Sequence, residues 1–238
     1  MMLGENLEAP VSTQWGFEDL GLVLGAILPS LLVGVFVVRL GRAAAPGVFS
    51  SEAVSTLAYQ FVFYAMLLAA LWVVIAVRHG QPFWRSLGWT LRFPGAWMYL
   101  AAAPVLAVGL SAMGVLLRTP AIVNPIEDLM GGGISRVVMM VFIAVLGPLW
   151  EELMFRGFLF PLIERTAGAI AAVVFCAVPF ALIHGFQNQW AWQPLTLIGV
   201  AGVVFGLARY RTGSTAAAAL MHMGYNSTLL IGYLLQKA

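Results

Sequence analysis

The chain has 238 residues, of which 61% are hydrophobic and only 9% charged. A water-soluble domain of this length carries roughly 25% charged residues, so the composition excludes one and describes an all-α, polytopic integral membrane protein, a single membrane-embedded domain over residues 1–238. A net charge of +2, with basic residues scattered singly, excludes a nucleic-acid partner, and the lone Cys176 excludes an intrachain disulfide.

Residues 1–19 lack Lys and Arg and carry Glu5, Glu8, Glu18 and Asp19, which is not the pattern of a signal peptide. A bilayer core about 30 Å thick needs about 20 apolar residues per helix. On that scale a first span is expected over residues 20–40, closed by Arg39 and Arg42, and a second over residues 53–77. Residues 78–93 mix Arg78, Arg85 and Arg92 with Phe83, Trp84 and Trp89, the composition of a short interfacial helix. A third span, 94–117, precedes a polar loop with Pro120, Pro125 and Gly131-Gly132-Gly133. The fourth, 137–163, is interrupted by Gly147-Pro148. Proline removes a backbone hydrogen bond, so a bend or a break into two helical pieces is expected there. A fifth span covers 167–185, a short sixth 195–208 and a last 215–235. This gives a helical bundle of seven transmembrane segments, or eight if the fourth is split. Leaving aside Arg156 within the fourth span, the arginines and the lysine fall six against five on the two sides, so charge sets no orientation.

Chemistry concentrates in residues 150–157, Trp-Glu-Glu-Leu-Met-Phe-Arg-Gly. A charge at membrane depth costs about 2.5–3.5 kcal/mol on insertion scales, so such residues face a polar interior and carry function. Of ten acidic residues, only Glu151 and Glu152 lie deep in an apolar run. Glu152 and Arg156 are spaced i, i+4 with the acid first, the favourable order for a helical ion pair. Glu151 lies about 100° further round the helix and stays available. Phe180 and His184 share one helix face at i, i+4, as do His222 and Asn226 in the last span. Two carboxylates and two histidines at membrane depth supply what peptide hydrolysis needs: a base for water, a proton donor for the leaving amine and donors for the oxyanion.

Glu151-Glu152-x-x-x-Arg156, Phe180-x-x-x-His184 and His222-x-x-x-Asn226, in this order, resemble the motifs of the CPBP family, the CAAX proteases and bacteriocin-processing enzymes. Phe155-Arg156-Gly157 and Arg211-Thr212-Gly213-Ser214 match the local texture. The resemblance covers about residues 137–230. It implies an intramembrane glutamate endopeptidase acting on membrane-associated protein or peptide substrates, the best-known members cutting the last three residues from prenylated proteins. Carried over by motif, Glu151 and His184 activate water, His222 and Asn226 form the oxyanion site, and Glu152, Arg156 and Phe180 support them. No cofactor is implied. The expected location is the plasma membrane of a prokaryote or the endoplasmic reticulum of a eukaryote. Two other readings stand beside this one. Glu151, His184 and His222 could be the three ligands of a zinc hydrolase, although no H-E-x-x-H spacing is present. The same polar cluster could instead glue helices together in a non-catalytic scaffold or immunity-type protein.

Overall fold

A backbone surrounded by hydrocarbon must satisfy its own hydrogen bonds, and a helix does so within one segment. In the computed structural model, which describes residues 15–93, 95–120 and 133–237, every regular element is helical. Helices α1 (Phe17–Gly25) and α2 (Ile27–Ala44) form one 28-residue apolar stretch. A short α3 (Pro46–Phe49) turns the chain into α4 (Glu52–Trp72), which continues as a π-helical turn to Arg78. The short α5 (Phe83–Ser86) leads to α6 (Ala96–Leu116). One helical run then contains α7 (Gly133–Val141), α8 (Gly147–Glu152) and α9 (Phe160–Ala167), separated by π-helical stretches at Phe142–Leu146 and Leu153–Leu159. Helices α10 (Ala169–Leu182), α11 (Trp192–Thr212) and α12 (Thr215–Lys237) complete the described chain.

Among the described residues, five helical stretches are long and apolar enough to cross a membrane: Phe17–Ala44, Glu52–Arg78, Ala96–Leu116, Ser135–Ala167 and Trp192–Thr212. The expected seven or eight is therefore not reached on this measure. Helix α10 is apolar but has 14 residues. Helix α12 has 23 residues, but His222, Asn226, Ser227 and Thr228 dilute its apolar character. The fourth segment also departs from expectation. It does not break at Gly147-Pro148 but runs on as helix, the proline being absorbed by the wider π turn before it. The interfacial helix expected over 78–93 shrinks to the four residues of α5. The sixth span is longer than expected, since α11 begins at Trp192 and ends at Thr212. Pro125, Gly131 and Gly132 of the expected polar loop lie outside the described residues.

The first span begins before its expected start, and Asp19 shows why. Its carboxylate is fully buried, accepts from the Gly16 N–H at 2.8 Å and sits 2.9 Å from both His79 Nε2 and Arg78 Nε. With these partners an acid is tolerated at the end of an apolar helix. Large apolar side chains point outward all along the bundle, Val105, Val108 and Val115 of α6 among them. In water such a surface would be a liability, whereas against lipid it meets its own kind. Inside, close approach depends on small residues. A Cβ on Gly34 of α2 would come within 2.8 Å of the Tyr59 ring on α4, and Ala216 to Ala219 of α12 are buried against their neighbours.

Candidate active site

The acidic pair sits at the end of α8, between the two π-helical stretches. In each stretch the backbone bonds five residues back: Gly147 N–H to Phe142 C=O, and Phe160 N–H to Phe155 C=O. In both cases the next residue is a proline, which has no N–H. Pro148 thus leaves unserved the carbonyl five residues earlier, Ile143, and Pro161 that of Arg156. Side chains from other helices fill both positions. Asn226 Nδ2 donates to Ile143 C=O at 2.9 Å, and Arg209 Nε donates to Arg156 C=O at 3.1 Å. Two further carbonyls of the second stretch receive Trp15 Nε1, on Phe158 at 3.1 Å, and Cys176 Sγ, on Phe155 at 3.4 Å. The helix that carries the acids is thereby tied to four other parts of the chain.

Glu152 and Arg156 are both fully buried and pair at 3.0 Å through Oε1 and Nη1. Arg156 Nη2 also donates to Gly202 C=O of α11 at 2.6 Å, and its guanidinium lies 4.8 Å from the centre of the Phe180 ring. Glycine at 202 permits this approach, since a Cβ there would lie 3.0 Å from Phe180. Glu152 Oε1 accepts a second bond, from His222 Nδ1 at 2.9 Å. A carboxylate only accepts, so Nδ1 carries the proton in that contact. The opposite nitrogen of the same ring, Nε2, lies 3.8 Å from Glu151 Oε2. That is beyond a direct hydrogen bond. The His222 ring therefore stands between the two glutamates, stacked on Phe205 at 4.5 Å and edge-on to Phe180 at 5.5 Å.

Glu151 differs from its neighbour in exposure. Its side chain keeps 13% of its accessible surface against none for Glu152. It lines a cavity of about 390 Å³ together with Phe180, His184, His222 and Asn226. His184 Nδ1 donates to Phe180 C=O at 2.8 Å, so in the neutral ring Nε2 keeps its lone pair. The structure thus brings Glu151, Phe180, His184, His222 and Asn226, from separate helical segments, to one cavity wall, with Glu152 and Arg156 buried behind it. The lining also includes polar residues to which spacing gives no pointer, Gln60, Tyr64 and Gln187 among them. Tyr64 stacks on Trp150 with ring centres 4.2 Å apart, next to the acids. Its only sequence signal was a polar tip within an apolar span.

Among the described residues no three His, Cys, Asp or Glu side chains are grouped as a metal ion needs. His222 has its two nitrogens facing the two glutamates, and one nitrogen of His184 is taken by its own helix.

Comparison with known families adds the decisive observation. Residues 133–228 match the family model of type II CAAX prenyl endopeptidases, Rce1-like. That stretch of the chain, 133–228 of 238 residues, is similar to this family. The matched family is one of membrane endopeptidases, and the several apolar helices fit a multi-pass membrane protein. The matched stretch contains all seven residues singled out by their spacing, whereas Trp15, Asp19, Tyr64 and the α2–α4 pair lie outside it. Comparisons with curated proteins and with solved structures returned no match.

Proposed function

We propose that this chain is a metal-independent glutamate endopeptidase that cleaves membrane-associated peptides, with prenylated C-terminal peptides as the substrate class suggested by the family. The observation that carries this reading is the His222 ring, held by Glu152 on Nδ1 and facing Glu151 with Nε2 on the wall of a cavity that His184 and Asn226 also line. Glu151 and the Nε2 lone pair of His184 act as the groups that take a proton from water. The water adds to the scissile carbonyl, and collapse of the tetrahedral adduct breaks the C–N bond as the proton taken from water passes to the leaving amine. His222 keeps Nδ1 on Glu152 and turns its Nε2 edge toward the oxyanion. Asn226 supplies the N–H not engaged with Ile143. Arg156 pairs with Glu152 and orients it, and through it the histidine.

The test uses reconstituted protein, a farnesylated C-terminal peptide and its unprenylated counterpart, with products read by mass spectrometry. Wild type cleaves at least one of them, Glu151→Gln is inactive yet melts like wild type, and a chelator leaves the rate unchanged. Loss of activity on chelation with recovery on adding zinc would replace this mechanism by the metal one. Full activity in Glu151→Gln would leave the polar cluster as helix glue.

A further inference from the structure

A second cavity, about 280 Å³, lies between α2 and α4 and is separate from the catalytic one. Along α2 it is walled first by Val35 and Val38 and then by Arg39 and Arg42, with Ser55 and Tyr59 of α4 opposite. It therefore has an apolar end toward the middle of the span and a cationic end toward its terminus. The 28-residue stretch that ends at Ala44 is about 42 Å long, against a hydrocarbon core of about 30 Å, so its last turns reach headgroup depth. Arg39 and Arg42 belong to those turns.

The two arginines are not equivalent. Arg42 Nη2 meets Glu52 Oε1 at 3.0 Å and Ser55 Oγ at 3.4 Å, which fixes its guanidinium beside the groove. Ser55 is itself anchored, donating to Phe49 C=O at 3.1 Å. Arg39 has no hydrogen bond or ion pair among the described residues. Two guanidinium groups and one carboxylate leave one positive charge uncompensated. That matches the single negative charge of a phosphodiester, which guanidinium groups recognise through parallel N–H donors.

We propose that this groove binds one anionic phospholipid, its phosphate between Arg39 and Arg42 and an acyl chain along Val35 and Val38. Basic pockets between membrane helices recognise such headgroups, and the outward-facing residues around the groove, Phe36 and Leu40, are apolar and exposed as lipid contacts are. A zwitterionic lipid brings its own cation and loses the benefit of the uncompensated charge. Thr56 lines both this groove and the catalytic cavity, so the bound lipid forms the far side of a wall of the active site.

The test is native mass spectrometry of the full chain in detergent, incubated with equal amounts of phosphatidylglycerol and phosphatidylcholine of identical acyl chains. Each surface arginine contributes about a fivefold preference for the anionic lipid. Wild type should retain phosphatidylglycerol at least fivefold over phosphatidylcholine. Arg39→Gln, which breaks no hydrogen bond or ion pair among the described residues, should lower that preference about fivefold, and Arg42→Gln should do the same. Inorganic phosphate at equal concentration should not displace the lipid. Equal retention by wild type, or full preference in Arg39→Gln, overturns the proposal. Displacement by inorganic phosphate overturns it in favour of a free-anion site. Activity on free-carboxyl peptides lost in Arg39→Gln, but kept on C-terminal amides and without a lipid preference in wild type, overturns it in favour of a peptide subsite. The lipid readout does not depend on catalysis, so it stands or falls apart from the protease reading.

Discussion

Replacing Arg156 by Ala should unfold the protein earlier and also slow it. The guanidinium serves Glu152 at 3.0 Å and Gly202 C=O at 2.6 Å with no exposure to solvent. Without it, Glu152 keeps only His222 Nδ1 on Oε1, and its other oxygen already has no hydrogen bond among the described residues. Breaking a buried pair from one side costs about 3–5 kcal/mol, because the remaining charge is uncompensated. At about 2–4 °C per kcal/mol for a chain of this size, the melting point should fall by roughly 6–20 °C. Thermal unfolding in detergent, followed by tryptophan fluorescence, measures this. Removing both charges is the control. Glu152→Gln with Arg156→Met leaves no buried ion and should recover more than half of the lost stability while activity stays low. The reasoning is refuted if Arg156→Ala melts with wild type, or if the double variant melts lower than the single one.

Asn226→Ala should reduce turnover by about 10²–10³ with little change in KM, the mark of a donor felt only in the transition state. It also loses the bond to Ile143, a cross-helix contact of about 0.6 kcal/mol on the average for membrane helices, so its melting point should barely move. Steady-state kinetics beside a melt separates the two effects, and a change in KM alone would make Asn226 a substrate-binding residue. Trp15→Phe keeps a ring on Phe158 but removes the donor to its carbonyl, and should cost about 1–3 kcal/mol on unfolding. A Trp15→Phe protein as stable as wild type would mean that this bond holds nothing.

The residues of the site were legible because they break the rule of their surroundings. Glu151, Glu152, His184 and His222 stand out as polar groups in apolar runs, and i, i+4 spacing assigned Arg156 to Glu152 and Asn226 to the face of His222. Spacing could not say that His222 also reaches Glu152, since the two lie 70 positions apart and only packing joins them. It also missed Gly202, whose contribution is a backbone carbonyl, and Tyr64, whose hydroxyl is common in membrane helices. Span limits were legible only approximately. Hydropathy marks where apolar residues stop, but Asp19 continues the helix because His79 and Arg78, 60 and 59 positions away, meet its carboxylate. The proline at 148 points to a bend or a break because a sequence shows the missing N–H but not the π turn that absorbs it.

Pro148 and Pro161 act as sockets. Each leaves one main-chain acceptor open on the helix of the acids, and a partner helix plugs into it, Asn226 at one and Arg209 at the other. An alanine at 148 would bring its own N–H to Ile143 and eject the Asn226 amide toward the cavity, whereas an alanine at 161 would compete with Arg209 for the carbonyl of Arg156. Substitution at either proline therefore rewires which helices are fastened to the glutamates, and the angle of the helix is the lesser effect.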